Sequence, residues 1–140
     1  ARYSRPGVDV TVLCGKVEMD LAEMKEDEGE EFRQAMGLGE SGLDRGIRVS
    51  YKLLGLISFF TVGSDEVKMW TIARETSAVR AAGKIHSDIE RGFIRAEVVA
   101  FDDLARCGSL AEGRKRGLLR LEGKTYKVLD GDVITFLFNV

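Results

Sequence analysis

The sequence predicts an α+β protein whose strands form a mixed sheet. Three observations predict it. Apolar residues in the first third recur at helical spacing, as in Val17, Leu21 and Met24 and again in Leu43, Ile47, Tyr51 and Leu54. The rest of the chain holds short runs rich in β-branched and aromatic residues, bounded by glycine and aspartate turns. The final run from Val133 to Val140 is apolar on both alternating faces, with Ile134, Phe136 and Phe138 opposed to Val133, Thr135 and Leu137. A strand apolar on both faces belongs inside a sheet that is covered on two sides.

The elements follow in order. Val8 to Cys14 alternates β-branched residues and reads as a strand ended by Gly15. A helix follows on Val17, Leu21 and Met24. Gly29, among charges, is expected to interrupt the pattern, which Phe32, Ala35 and Met36 resume and Gly37 and Gly39 stop. Ser41 followed by Asp44 has the spacing of a capping box, with a carboxylate at the third helical position. The stripe from Leu43 to Leu54 then makes a third helix. All three are expected to bury their stripes against one another or against a neighbouring domain.

Leu56 to Thr61 reads as a short apolar strand-like connector, and Val67 to Ile72 as the first clear strand, with Val67 and Met69 on one face and Trp70 and Ile72 on the other. Ser77 to Glu90 is helical, with Val79, Ala82 and Ile85 on one face. Ile94 to Phe101 is a strand. Asp102 is placed to cap a helical turn beginning at Asp103. Leu118 to Leu121 and Thr125 to Val128 flank Glu122, Gly123 and Lys124 as a tight hairpin, and Asp130-Gly131-Asp132 makes a turn before the last strand.

Composition narrows the function. The 140 residues are 44% hydrophobic and 31% charged, as in globular proteins, and the net charge is −2. No apolar run approaches the ~20 residues that cross a bilayer. No basic-then-apolar leader is visible at the start, and we expect the chain to be a piece of a longer protein. Cys14 and Cys107 lie far apart, no CxxC occurs and His86 is the single histidine, so neither a disulfide framework nor a zinc site is expected and a reduced, cytoplasmic setting fits. Residues 1–63 hold 8 Lys and Arg against 11 Asp and Glu, a net −3; residues 64–140 hold 13 against 12, a net +1. Charge alone therefore does not demand non-specific nucleic-acid binding by the second half.

The order of motifs carries more. The segments Val12 to Glu18, Gly37 to Arg45, Tyr51 to Leu56 and Phe59 to Thr61 come first. They are followed by Glu66 to Arg74, Ala81 to Gly83, Ile85-His86 with Asp88, Glu90 to Ile94, Ala96-Glu97, Leu121 to Val128 and Asp130 to Asp132. Together this succession resembles the C-terminal part of the YchF-type (Obg-like) ATPases, including their TGS domain, a ubiquitin-like β-grasp module. The resemblance implies residues 1–16 as the terminal strand and loop of a P-loop nucleotide-binding domain, 17–55 as a helical connector and 56–140 as the TGS domain. It also implies ATP and magnesium as ligands of the intact parent, and ribosome or RNA as a partner. A protein partner, or docking of the β-grasp module on its own ATPase domain, is the alternative. At Gly15 this chain departs from the alanine usual in the family.

Nothing in these residues matches G-x-x-x-x-G-K-[ST]; Gly15-Lys16 is followed by Val17 and has no second glycine at the required spacing. Without that cradle of backbone N–H groups the β- and γ-phosphates have no seat. We therefore expect no nucleotide hydrolysis by the fragment, no cofactor in it and no catalytic residues. By the resemblance, Cys14, Gly15 and Lys16 are candidates for the rim of the purine pocket of the intact protein. His86 has Asp88 placed to orient its ring but no nucleophile implied beside it, so a helix-capping role is expected. Cys107 follows Arg106, which favours its thiolate, and its expected role is that of a small apolar residue. The candidate nucleic-acid contacts are Arg80, Lys84, Arg91, Arg95, Arg114, Lys115 and Arg116, if the fold brings them to one face.

Overall fold

Helical spacing in the first third becomes three helices in the computed structural model, which describes residues 5–63 and 66–139. The chain divides into two compact units, Ala1–Leu54 and Gly55–Val140. The expected start of the segment 1–16 (residues 1–4) and the last residue of the final strand, Val140, lie outside the described residues.

The first unit contains α1 (Gly15–Glu23), α2 (Glu26–Ala35) and α3 (Gly42–Leu53). Ser41 caps α3 as its spacing predicts, its side chain accepting from the Asp44 N–H at 3.0 Å. Gly29 does not interrupt a helix. The break falls at Met24, and Gly29 is buried inside α2, where a Cβ would stand 3.8–3.9 Å from Leu21 and Met24. The α3 stripe is not buried as expected: Leu43 is 71% and Leu54 70% exposed.

Residues 9–14 carry no regular structure, against the strand expected there. A strand is held by neighbours, and the described part of this unit supplies none. A side chain takes the ladder's place: Arg45 donates from Nη1 to the Val12 carbonyl at 2.8 Å and from Nη2 to the Glu40 carbonyl at 3.1 Å. Lys52 bonds the Asp9 carboxylate at 2.8 Å and, with the Val10 N–H, holds its carboxyl below the usual aspartate range.

In the second unit the strands are β1 (Leu56–Val62), β2 (Val67–Ala73), β3 (Phe93–Ala100), β4 (Arg120–Glu122) and β5 (Asp132–Phe138). Their order is β2-β1-β5-β3-β4, with β1 and β5 parallel at the centre and the other pairs antiparallel. The strand-like connector read over Leu56 to Thr61 is a full strand, running on to Val62 beside the central one. Helices α4 (Ala78–Ile85) and α5 (Ser87–Arg91) cross one face between β2 and β3. This is the β-grasp arrangement.

The core lies under those helices. Phe59, Val98 and Ala96 are fully buried from the strands, and Ala78, Ala81 and Ala82 from α4. Small alanine side chains at the contact let helix and sheet approach closely. Phe136 packs edge-on against Phe59 and Phe93, with centroids 6.1 and 6.0 Å away.

Two turns differ from expectation. Helix α6 (Phe101–Cys107) starts one residue before Asp102, with Ala100 at its cap and no capping side chain. The segment after the Gly123 turn does not pair back on β4. Instead the Ala78 N–H donates to the Tyr126 carbonyl at 2.8 Å and the Val128 N–H to the Thr76 carbonyl at 3.0 Å. Strand β4 finds its partner in β3 instead.

Candidate interaction surface

Pleating sends alternate residues of the sheet to its outer face, opposite α4 and α5. On β3 these are Arg95, Glu97 and Val99; on β5, Val133, Thr135 and Leu137; on β1 and β2, Phe60 with Met69 and Val62 with Val67. After β3 the chain turns back over part of this face. The Phe101 N–H donates to the Gly131 carbonyl at 2.9 Å, and the Phe101 ring lies 6.0 Å from that of Phe60. Val99 and Val133 are thereby buried, although they point away from the main core. Helix α7 (Leu110–Lys115) follows, capped by Ser109, which accepts from the Glu112 N–H at 3.1 Å. Buried Gly113 packs on Leu119 and on the Cys107 sulfur. Beyond α6 and α7 the outer face is open. Val67 is 65%, Met69 58% and Leu121 65% exposed.

The basic candidates fall into two groups on opposite sides of the sheet. Arg80 and Lys84 lie on α4 and Arg91 on α5, the helices that cover the core face. Arg80 pairs with Glu90 at 3.0 Å, and Arg91 with Asp88. Arg95 stands on the outer face, and Arg114, Lys115 and Arg116 close α7 beside it, Arg114 bonding the outward Glu97 at 2.7 Å. Arg116 pairs with Glu112 on its own helix at 2.9 Å. Arg95 and Lys115 are exposed and have no ion pair among the described residues. The sheet thus parts Arg80, Lys84 and Arg91 from the other candidates.

Cys14 is exposed at the cap of α1 and has no capping bond of its own. Gly15 opens α1, and a Cβ there would meet no described atom within 4 Å. Lys16 is tied to Asp20 at 2.7 Å, a bond that raises its pKa. His86 caps α5: its Nδ1 accepts from the Asp88 N–H at 3.1 Å. Among the described residues no set of three or more His, Cys, Asp and Glu side chains is arranged to hold a metal.

The turn before β5 holds a polar network that pattern reading missed. Asp132 is 2% exposed, and its Oδ2 accepts from the Tyr126 hydroxyl at 2.8 Å and the Leu129 N–H at 2.9 Å. Arg120 lies over the Tyr126 ring, 5.6 Å from its centroid, and its Nη2 is 3.8 Å from Asp132 Oδ1. Burial, then the Asp132 carboxylate, push the Tyr126 hydroxyl up to about 12. The signal was present in sequence, since an acid opening an apolar strand soon after a tyrosine needs a partner. The outer face sets paired cations, Arg114 and Arg116, and unpaired ones, Arg95 and Lys115, beside an open apolar patch.

Comparison with known proteins gives a consistent picture. The family model YchF-GTPase_C, described as "Protein of unknown function (DUF933)", matches residues 56–139. The chain is 51% identical over 132 residues to the "Ribosome-binding ATPase YchF" of Bacillus subtilis, covering 94% of this chain and 36% of that protein. It is 47% identical over 137 residues to the protein of that name from Escherichia coli O157:H7, covering 98% and 38%. The chain thus spans little more than a third of the length of these relatives. The structure of the Schizosaccharomyces pombe YchF GTPase superposes with a TM-score of 0.76 at 34% identity, covering 84% of this chain and 31% of that one. A GTP-binding protein from Pyrococcus horikoshii shares the fold, with a TM-score of 0.51 at 18% identity over 77% of this chain and 29% of that one.

Proposed function

The chain belongs to the YchF GTPase C-terminal family, and from that premise we propose that it is the C-terminal part of a cytoplasmic, ribosome-associated nucleotide hydrolase, in which the β-grasp (TGS) unit touches ribosomal RNA. The observation that carries this reading is 47–51% identity over nearly the whole chain to proteins named ribosome-binding ATPases. The geometry supports one place for the contact. Arg95 and Lys115, both without an ion pair among the described residues, stand on the outer side of the sheet beside Arg114 and Arg116. Cations free of intramolecular partners are the ones that meet phosphates at least cost.

In this reading the remainder of the parent holds ATP and magnesium, and the fragment alone hydrolyses nothing. Residues 1–16 close the nucleotide-binding domain, with Cys14, Gly15 and Lys16 at the purine rim and 17–55 as connector. The exposed Leu43, Ile47 and Leu54 of α3 and its end support this division, because such a stripe is covered by packing in a complete domain.

Co-sedimentation with purified ribosomes, at rising salt, tests the proposal. Two to three phosphate contacts give a log–log salt slope of about −1.8 to −2.7, so affinity falls roughly tenfold to fortyfold over a fourfold rise in salt. Arg95→Glu with Lys115→Glu removes the salt-sensitive binding and leaves the fold intact. A folded double variant that sediments like the parent sequence refutes the placement. The open apolar face around Val67, Met69 and Leu121 favours a second reading, protein docking, which predicts binding that salt barely moves.

A further inference from the structure

We propose that the cavity between Phe60 and Phe101 is a receptor for a single cationic side chain, an arginine or lysine presented by a partner protein. The cavity holds about 250 Å³ and is lined by Phe60, Ala100, Phe101, Asp102, Asp130 and Gly131. Its walls are aromatic: Phe101 is 53% exposed and tilted against Phe60, so a π face is open to a ligand. Its rim is anionic. Asp102 has no hydrogen bond or ion pair among the described residues, unlike its neighbour Asp103, which pairs with Arg106. Asp130 uses one carboxylate oxygen to accept from the Ser58 N–H at 2.8 Å, which fixes the side chain and leaves Oδ2 without a partner among the described residues.

These features select the ligand. Aromatic faces attract cations and repel anions, and a carboxylate beside them adds a charge-assisted hydrogen bond. A phosphate would meet two uncompensated negative charges, so nucleic acid is disfavoured at this point although it is proposed at Arg95 and Lys115. The N-terminus of α6 adds little opposing field, because the Phe101 N–H already donates to Gly131 and α6 is only seven residues long. Met69 lies directly across from Phe60 in the sheet and, with Val62 and Val67, extends an apolar floor for the aliphatic stem and the next residues of the partner. The inference stands on this geometry and is independent of the ribosome reading.

Amide NMR titration of the whole chain with a short blocked peptide containing one arginine tests it. The expected result is saturable shifts confined to Phe60, Phe101, Asp102 and Gly131 at millimolar peptide. The same peptide with citrulline, isosteric but neutral, should give none. Asp102→Asn, an exposed change that leaves the fold alone, should weaken binding about threefold to tenfold. Phe101→Ala should weaken it further, and its folding is checked by the undisturbed amides of β1 and β2. Absence of local shifts, equal shifts with citrulline, or shifts at these amides caused instead by an RNA oligonucleotide would each overturn the proposal.

Discussion

Removing the Asp132 carboxylate should unpick the turn that feeds the central strand. In Asp132→Ala the Tyr126 hydroxyl and the Leu129 N–H lose their acceptor, at 2.8 and 2.9 Å, in a place where Asp132 itself is 2% exposed. Hydrogen bonds to a charged group contribute about 1.5–3 kcal/mol each, and relief of carboxylate desolvation offsets part of the sum, leaving a net loss of about 2–4 kcal/mol. Tyr126→Phe removes two bonds, the one it donates to Asp132 and the one it accepts from Arg120 Nη2 at 3.2 Å, and leaves the carboxylate with Leu129 and Arg120, for about 1–2 kcal/mol. The double variant should fall short of additivity by about 1–2 kcal/mol, since once Tyr126→Phe has removed the hydroxyl none is left to be orphaned. Urea unfolding followed by the fluorescence of Trp70, the single tryptophan, reads this in the β-grasp unit alone. The network also has an alkaline signature. A hydroxyl pushed up to about 12 favours the folded state fully below the ordinary tyrosine value near 10, and that stabilisation is lost as pH rises from 10 to 12. A partly exposed group is screened, so the loss is about 1 kcal/mol rather than the ~2.7 kcal/mol of an unscreened two-unit shift. One of the three tyrosines should ionise late, and Tyr126→Phe should abolish that step. A loss below about 1 kcal/mol in Asp132→Ala, or a late ionisation that survives Tyr126→Phe, would refute the network's role.

Three further outcomes are expected. Phe59→Ala, at a side chain with no exposure, should cost about 3–5 kcal/mol in the same urea assay, and Phe136→Ala, half-buried against it, the lower part of that range. Gly92→Ala drives a Cβ into the Asn139 backbone carbonyl and should cost about 1–3 kcal/mol, whereas Gly83→Ala meets only side-chain atoms of Glu90, chiefly its movable carboxylate, and should cost less; equal melting points would contradict the difference. Ser41→Ala should lower the helical signal of the first unit and destabilise it by about 1 kcal/mol, visible as an earlier circular-dichroism transition.

How far each element was legible follows from whether its partners are local. The Ser41 cap, the helical span of α3 and the faces of β2 depend on close neighbours in the chain, and all three match the structure. The double-faced apolar pattern of β5 also placed it correctly at the sheet's centre, but only its first three residues are buried on both faces, and Leu137 and Phe138 are exposed, so the expected cover on two sides is partial. Failures occur where the partner is distant. Thr125 to Val128 looked like the return arm of a hairpin, yet its backbone bonds go to residues 76–78, a choice no local pattern encodes. Val8 to Cys14 has the composition of a strand and no strand beside it among the described residues, so its Val12 carbonyl is taken by Arg45 instead. The same logic governs the surface. The basic candidates are visible in the sequence, but the sheet separates Arg80, Lys84 and Arg91 from the others, and ion pairs neutralise Arg114 and Arg116 within the second group. On the outer face Arg95 and Lys115 remain available for a phosphate, as Lys84 does on the helical side, while Asp102 and Phe101, a few residues from Arg95, suit a cation. A partner that offers only one sign of charge satisfies half of this surface; one that carries anionic and cationic groups together matches both.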